Sequence, residues 1–197
     1  MELIKKYYDN GQLQVYYYML NGKRHGEYKA WYTNGQLSLT TQYIDDKRHG
    51  EYKTWHDNGE LNLISHYDNG IRQGEYKVWD DKGEPHLYIH YVDGKLHGER
   101  KLWHDNGELC TLSHYENDKL YGEYKQWHEN GNLAAHAYYI DDQLHGECKA
   151  WDEQGNLTTN TFWVHNQEVT EQVKNLITDI NNITQEERTL IKLAMGC

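Results

Sequence analysis

The segment His25-Gly-Glu-Tyr-Lys-Ala-Trp31 decides the fold of this chain, because a version of it returns every 24 residues, as from Gly26 to Gly50. Gly, Glu, Lys and Trp stand at the same places in every copy. The further copies are His49–Trp55, Gln73–Trp79, His97–Trp103, Tyr121–Trp127 and His145–Trp151. Self-similarity at a fixed short period is the signature of a repeat architecture. The sequence therefore predicts that residues 1–167 form seven 24-residue repeats, of which the first is partial and carries Tyr7 in the Trp position.

Each repeat is predicted to be a β-hairpin. A first strand over Gly26–Trp31 is followed by a turn at Thr33-Asn34-Gly35, and a second strand runs over Leu37–Tyr43. Asn-Gly between two alternating segments is the strongest short signal for a hairpin, because the turn needs positive φ. The second strands carry their apolar side chains at every other position, which is the period of a strand and not of a helix. The chain is thus expected to be an all-β repeat protein.

The length of the Asn-Gly turn sets the register of each hairpin. In a three-residue loop with Gly35 in the bulge position, Trp31 faces Leu37, and we expect both to share one sheet face with Tyr43. A two-residue turn would shift the pairing by one residue and separate these side chains. We favour the three-residue loop, because it keeps the apolar side chains together.

Two kinds of element carry a family resemblance. One is the stretch Tyr43-Ile-Asp-Asp-Lys-Arg-His-Gly50, followed by Trp55-His-Asp-Asn-Gly59; the other is Gly-Lys-x-His-Gly, best seen at Gly22–Gly26 and Gly94–Gly98. These marks resemble the MORN repeat, most closely the variant found in tandem in many bacterial and giant-virus proteins. The resemblance covers residues 1 to about 167. It implies a single-layer antiparallel β-meander, a twisted ribbon of hairpins that serves as a spacer and interaction module.

The chain departs from this family pattern at two kinds of position. Asp46, Asp118 and Asp142 replace the glycine of the Gly-Lys-x-His-Gly element. Pro85 stands where other repeats have leucine.

The C-terminal segment, residues 168–197, changes character. One helical stripe is predicted from Val169, Val173, Leu176, Ile177 and Ile180. Thr184-Gln-Glu-Glu187 has the form of a capping box that opens a second short helix. We expect this two-helix segment to be a short C-terminal α-helical cap on the end of the ribbon, as terminal repeats require. The alternative is a docking helix for a partner.

Charge and cysteine content limit the classes of partner. The formal net charge of −11 disfavours nucleic acid and anionic membranes, so we expect no nucleic-acid partner and no membrane attachment. No apolar stretch has the form of a signal peptide or a membrane span. Cys110, Cys148 and Cys197 lack CxxC spacing and are expected to be free thiols in a reducing compartment. These features predict a soluble, cytoplasmic protein.

The sequence predicts neither a metal site nor an active site, although it contains 13 histidines. Equivalent residues of neighbouring repeats are two strands apart, about 9–10 Å, whereas zinc ligands lie about 2 Å from the metal. Paired carboxylates such as Asp45 and Asp46 fall in turns, where Asp bonds its own backbone. No phosphate-binding loop or nucleophile motif occurs. We therefore expect no cofactor, no metal and no catalytic residue, and hence no enzyme.

Comparing the copies within the chain separates positions that build the ribbon from positions free to recognise a partner. The constant tryptophans are expected to form a structural ladder: Trp31, Trp55, Trp79, Trp103, Trp127 and Trp151. Under the favoured register, two other series share the alternate face and form a candidate interaction face: Tyr28, Tyr52, Tyr76, Arg100, Tyr124, His66, His90, His114 and Tyr138. Tyr and Arg are favoured at protein interfaces. The alternative is a solvated face with aromatic cross-strand pairs.

The sequence favours a non-catalytic repeat scaffold that mediates protein–protein interaction, with self-association into a homo-oligomer as a further role. Two alternatives stay open. The resemblance to MORN proteins suggests a phospholipid- or membrane-associated adaptor, which the net charge opposes. The bacterial relatives of the variant suggest a neutralising, antitoxin-like partner of a toxin.

Overall fold

The computed structural model describes residues 1–173 and 175, and its repeat region is one open antiparallel sheet of 16 strands. Strands that follow each other in the chain are neighbours in the sheet, except that the two-residue strand β13 lies off the path, paired with β12. The strands are β1 (Glu2–Tyr7), β2 (Leu13–Leu20), β3 (Lys23–Trp31), β4 (Leu37–Ile44), β5 (Lys47–Trp55), β6 (Leu61–Asp68), β7 (Ile71–Trp79), β8 (Pro85–Val92), β9 (Lys95–Trp103), β10 (Leu109–Glu116), β11 (Lys119–Trp127), β12 (Leu133–Ile140), β13 (Gln143–Leu144), β14 (Gly146–Trp151), β15 (Leu157–Val164) and β16 (Gln167–Glu168). The predicted all-β meander of hairpins is confirmed.

The structure shows helix only briefly in its described part, at residues 171–173 and 175. Val173 is 41% exposed there. The rest of the predicted two-helix cap, residue 174 and residues 176–197, lies outside the described residues. The role of residues 168–197 as a cap stays a prediction.

The Asn-Gly turns are three-residue loops. The Tyr32 N–H donates to the Gln36 carbonyl at 2.8 Å, and the Gly35 N–H donates to the Tyr32 carbonyl at 3.0 Å. Gly35 has a φ of +88°, which a residue with a side chain adopts only at a cost. Trp31 pairs with Leu37 as a consequence, and the favoured pairing is confirmed.

A β-bulge directly after this pair overturns the predicted distribution of side chains between the faces. Trp31 pairs with Leu37, but its neighbour Ala30 pairs with Leu39, so the second strand contains one extra residue. An extra residue reverses the side-chain alternation of one strand relative to the other. The prediction that Trp31, Leu37 and Tyr43 share one face is therefore wrong. Trp31 and Leu37 lie on one face, and Tyr43 lies on the opposite face.

The turns between hairpins have two residues, both with positive φ, as in type I′ turns. Asp46 has a φ of 68° where other repeats place glycine. Its carboxylate accepts a hydrogen bond from the Arg24 N–H at 3.1 Å and one from the Arg24 Nε at 2.8 Å. Asp118 and Asp142 bond the preceding repeat in the same way, at Leu96 N–H and Leu120 N–H. These bonds between repeats offset the backbone cost of replacing glycine.

The core lies on one face of the sheet, which we call the tyrosine face. On this face Tyr28 pairs with Thr41, and the Tyr28 ring contacts the Tyr43 ring edge-on at 5.7 Å between centroids. The same arrangement recurs in the next repeat at Tyr52 and Tyr67, with centroids 5.9 Å apart. The most buried residues of the described chain lie on this face: Val15, Thr41, Tyr43, Ser65, Tyr67, Ile89, Tyr91, Thr111, Ser113 and Ala137. Small side chains at 41, 65 and 113 leave room for the rings above them.

Candidate interaction face

The opposite face, which we call the ion-pair face, carries the constant Glu, Lys and Trp of every repeat. Lys101 contacts Glu99 at 2.7 Å, and Lys125 contacts Glu123 at 2.8 Å. The ammonium of each lysine lowers the pKa of its glutamate, because it stabilises the carboxylate by a hydrogen bond. The tryptophan ladder lies on this face and is half-buried. Trp31, for example, contacts the Tyr16 ring at 5.5 Å between centroids.

The residues predicted to form one interaction face are divided between the two faces. Tyr28 pairs with Thr41 on the tyrosine face, whereas His66 pairs with Glu51 on the ion-pair face. The prediction that they share a face is wrong, because the bulge beside Trp31 moves the second strand by one residue relative to an unbulged hairpin. Five of these residues lie on the tyrosine face: Tyr28, Tyr52, Tyr76, Arg100 and Tyr124. Four lie on the ion-pair face: His66, His90, His114 and Tyr138.

On the ion-pair face, two series of positions change from repeat to repeat. Opposite the glutamates lie Gln42, His66, His90, His114, Tyr138 and Phe162. Opposite the lysines lie Thr40, Ile64, Tyr88, Leu112, His136 and Asn160. A constant frame of ion pairs and tryptophans thus surrounds a variable pair of side chains in every repeat. On the tyrosine face, in contrast, the side chains pack against one another.

Neighbouring repeats are joined at the Asn-Gly edge by the residue that follows each tryptophan, which we call the corner residue. The Tyr32 hydroxyl donates to the Trp55 carbonyl at 2.7 Å. His104 reaches the Trp127 carbonyl through Nε2 at 2.9 Å. A carbonyl can only accept, so this ring nitrogen is the donor. The same bond is made by Tyr8, His56 and His128.

Asp80 interrupts this series. Its carboxylate accepts the Lys82 N–H at 2.9 Å and the Glu84 N–H at 2.8 Å within its own turn. These backbone bonds lower the pKa of Asp80, so it is ionised at neutral pH and has no hydrogen to donate. The Trp103 carbonyl therefore receives no bond from the corner of the preceding repeat. Lys82 also replaces the asparagine that elsewhere bonds the next turn, as Asn58 does at the Asp81 carbonyl.

A cleft of about 190 Å³ lies on the ion-pair face beside this interruption. Trp79 and Trp103 border it, and Pro85 and Tyr88 contribute further apolar walls. Pockets that hold drug-sized ligands measure about 300–1,000 Å³. The cleft therefore fits one or two side chains of a partner better than a metabolite.

The described residues offer little to covalent or metal chemistry. Within residues 1–173 and 175, no group of three His, Cys, Asp or Glu side chains could hold a metal ion. Cys110 and Cys148 are free thiols, as predicted, and Cys197 lies outside the described residues. Burial raises the pKa of Cys148, which disfavours the reactive thiolate. In the described part of the chain, no helix is long and apolar enough to cross a membrane.

The family model of the MORN repeat variant matches the chain in five segments that together cover more than half of it: residues 3–21, 24–45, 48–69, 96–117 and 120–141. The chain belongs to the MORN repeat variant family. MORN repeats are in general interaction motifs for proteins or membranes and are not an enzyme family. None of the five segments includes the repeat with Asp80 and Pro85. A search of the curated proteins found no match.

Reasoning from the sequence missed the corner bonds and the cleft. The signal was visible in the alignment of the chain with itself, where residues 56–61 and 104–109 read His-Asp-Asn-Gly-Glu-Leu but residues 80–85 read Asp-Asp-Lys-Gly-Glu-Pro. Pro85 is visible in the sequence as a departure from the repeat, whereas the loss of a hydrogen-bond donor at position 80 becomes visible only once the contact between neighbouring repeats is known.

Proposed function

We propose that this MORN-family chain is a non-catalytic scaffold that binds a protein partner through its ion-pair face. The proposal rests on the different composition of the two faces. Tyrosine rings and buried small side chains fill the tyrosine face, whereas the ion-pair face keeps Glu, Lys and Trp constant and varies two residues in every repeat. A rigid frame with variable contacts suits recognition of one extended partner surface.

Self-association is a second candidate, favoured by the open edge of β1. Within the part of the chain that the structure describes, this strand has a neighbour only on the β2 side, and five of its six residues are exposed. An open edge can pair with a strand of another copy. Lys5 and Lys6 lie on this edge, and charged lysines are a common means of discouraging such pairing. Binding of a different protein is therefore the better-supported function.

The net charge opposes a membrane-associated role but does not oppose neutralisation of a toxin. A membrane-associated role is opposed by the net charge of −11, which repels anionic lipid headgroups. Neutralisation of a toxin is itself protein binding, and the same face would serve it.

The test compares the ribbon with a variant altered only on the ion-pair face. His66→Gln, His114→Gln and Tyr138→Gln give these positions the residue that the second repeat has at Gln42, so the ribbon is expected to tolerate them. We expect recovery of the native partner from cell extract, measured by quantitative mass spectrometry, to fall at least tenfold.

The matched control changes three exposed side chains on the tyrosine face, with Glu2→Gln, Lys6→Gln and Thr159→Gln. Each of these side chains is exposed, and together the three changes leave the net charge unaltered. The control should recover the partner as the unaltered chain does, and both variants should keep the β-sheet circular dichroism signal. Equal recovery by the two variants would contradict the proposal. Light scattering of the unaltered chain by itself tests self-association. A monomer at every concentration would contradict it.

A further inference from the structure

The charged side chains of the repeat region are divided between the two faces of the sheet. From β2 to β15, every glutamate and aspartate of a strand lies on the ion-pair face, where the glutamates contact lysines, as Glu75 contacts Lys77 at 2.7 Å. In the described part of the chain, all arginines lie on the tyrosine face: Arg24, Arg48, Arg72 and Arg100. The tyrosine face is therefore locally cationic, although the chain has a net charge of −11.

The Arg48 guanidinium has no carboxylate partner among the described residues, and its charged surroundings are tyrosines. Arg24 differs, because Asp46 in the next turn contacts its Nε at 2.8 Å. The residue of the following turn that corresponds to Asp46 is Gly70, whose N–H donates to the Arg48 carbonyl at 2.8 Å. One repeat later, at Arg72, a glycine again stands in the turn. Glycine offers no carboxylate, so the charge of these two arginines is not compensated.

Tyrosine rings hold both guanidinium groups in place without neutralising them. The Arg48 guanidinium lies 4.7 Å from the centroid of the Tyr52 ring and 5.4 Å from that of the Tyr67 ring. A cation–π contact attracts the guanidinium but does not cancel its charge. The Tyr67 hydroxyl accepts a bond from Arg72 Nε at 3.1 Å, so its own hydrogen can still be donated to an anion. Arg100 continues the series on the next first strand, and we call Arg48, Arg72 and Arg100 the arginine strip.

The second half of the ribbon shows that the sheet does not need arginine at these positions. Leu120 pairs with Tyr115 there as Arg72 pairs with Tyr67 in the first half. Asp142 stands in the turn beside Leu120 and accepts its N–H at 2.7 Å, so a carboxylate occurs where the guanidinium is missing. The uncompensated arginines are thus confined to one part of the ribbon, and the strand pairing does not account for their charge.

The spacing of the arginine strip indicates a ligand with several anionic groups. Arg48 and Arg72 hold the same strand position two strands apart, about 9.4–9.8 Å between backbones. Charge-assisted hydrogen bonds to a carboxylate are under about 3 Å long, so we expect a separate anionic group at each arginine.

The surroundings of the strip favour an acidic protein segment over nucleic acid or a membrane. The Asn-Gly turns along the neighbouring edge carry exposed carboxylates: Asp57, Glu60, Asp81, Glu84, Asp105 and Glu108. These groups repel a polyanion or an anionic bilayer that extends past the edge of the sheet. A protein segment can instead place a few carboxylates on the strip and none beside the turns.

We propose that the arginine strip of the tyrosine face binds an acidic segment of a partner protein. Carboxylates of that segment accept hydrogen bonds from the guanidinium groups and from the tyrosine hydroxyls beside them. The strip lies on the opposite side of the sheet from the ion-pair face, so this inference does not rest on the proposed function.

The probe is a labelled, capped ten-residue peptide of alternating glutamate and glycine, titrated with the chain and followed by fluorescence anisotropy. Because the chain as a whole repels anions, binding of this peptide reports a local cationic site. We expect it to bind at least tenfold more tightly than a glutamine–glycine control at about 50 mM salt, and less tightly as salt is added. Equal binding of the two peptides would overturn the proposal. So would tighter binding of phosphatidylserine vesicles, or of a deoxythymidine strand with the same number of charges.

Removal of two arginines tests the strip itself. Arg48→Leu with Arg72→Leu gives both positions the leucine of the last three repeats, and circular dichroism should show an unchanged sheet. Affinity for the acidic peptide should fall at least tenfold. The matched control, Lys47→Gln with Lys95→Gln, removes the same charge from exposed lysines of the same turns and should change affinity less than twofold. Equal losses would show that only the net charge matters and would overturn the proposal.

Release of Arg24 provides the opposite test, in which no arginine is lost. Asp46→Gly gives the turn the residue found in the next two repeats and frees the Arg24 guanidinium, so affinity for the acidic peptide should rise at least threefold. Asp142→Gly makes the same change of residue and charge beside Leu120 and should have less than half of that effect. An unchanged affinity after Asp46→Gly, or an equal rise in both variants, would overturn the proposal.

Discussion

Arg72 and Leu120 occupy the same position of the repeat, two repeats apart, and they cover the tyrosine face by different means. The Arg72 guanidinium lies 5.0 to 6.0 Å from the centroids of three tyrosine rings, and its Nε donates to the Tyr67 hydroxyl at 3.1 Å. Leu120 has tyrosines at the corresponding positions but only an aliphatic side chain to offer them. The first three full repeats have Arg24, Arg48 and Arg72 at this position, and the last three have Leu96, Leu120 and Leu144.

The tyrosine near the end of each second strand, which we call the closing tyrosine, is more buried in the first half of the ribbon than in the second. Tyr43, Tyr67 and Tyr91, beside the arginines, are 7–8% exposed. Tyr115 and Tyr139, beside the leucines, are only half-buried. The backbone pairing is the same in both halves, so the fold does not require the arginines. What the ribbon requires is a long side chain that packs over the rings, and the guanidinium adds cover and a cation–π contact.

The largest expected effect comes from removing a closing ring in each half. Tyr67→Ala should lower the free energy of unfolding by about 3–5 kcal/mol, the usual cost of deleting a buried aromatic side chain. Tyr139→Ala should cost less, about 2–3 kcal/mol, because its ring is less buried and has no arginine above it. Urea denaturation of both variants measures the difference. Tyr121→Ala is the control, since Tyr121 is 48% exposed and should change stability little. Equal losses at 67 and 139 would show that arginine cover is irrelevant.

A reciprocal exchange tests the arginines directly and should have a smaller effect. Arg72→Leu removes three cation–π contacts and should destabilise the chain by about 1 kcal/mol. Leu120→Arg places a guanidinium among Tyr115, Tyr124 and Tyr139 and should stabilise it by about 0.5 kcal/mol. Thermal and urea unfolding report both changes. The comparison fails if the two exchanges shift stability in the same direction.

The constant repeat period and the Asn-Gly turns were sufficient to predict the meander and the pairing of Trp31 with Leu37. The division of side chains between the faces was not predicted, because alternation reveals which residues share a face only while no extra residue intervenes. The bulge at Ala30 and Trp31 supplies that residue in every full hairpin. The expectation that the apolar side chains of each hairpin share one face is also wrong for this chain. A single-layer sheet has two half-wet faces, and this chain places tyrosines on one and tryptophans on the other.

The candidate site was predictable only in part for the same reason. His66, His90, His114 and Tyr138 remain on the face proposed to bind, whereas the tyrosine series belongs to the core. The corner residues depend on contacts between positions 23 residues apart, such as Tyr32 with Trp55. Such contacts follow from the stacking of repeats and cannot be inferred from the pattern within one hairpin.

The smallest expected effect concerns the ion-pair face, where both halves carry the same Glu–Lys pairs. Hydrogen bonds from lysine lower the pKa of Glu75 in the first half and of Glu99 in the second below the ordinary glutamate value of 4.5. A carboxyl whose pKa is lower in the folded chain binds fewer protons there than in the unfolded chain. It contributes stability that is fully present above pH 4.5 or so and is lost as the pH falls through the folded value.

The melting temperature should therefore be level between pH 7 and pH 5 or thereabouts and decline below about pH 4.5. Each pair is exposed enough that its share is about 0.2–1 kcal/mol. Lys77→Gln and Lys101→Gln remove one pair in each half, and both should reduce the decline to the same extent in scanning calorimetry at a series of pH values. Because these exposed pairs are screened by salt, 0.5 M or so of sodium chloride should reduce the decline in the unaltered chain as well. Unequal behaviour of the two variants would show that the difference between the halves reaches through the sheet from the tyrosine face to the ion-pair face.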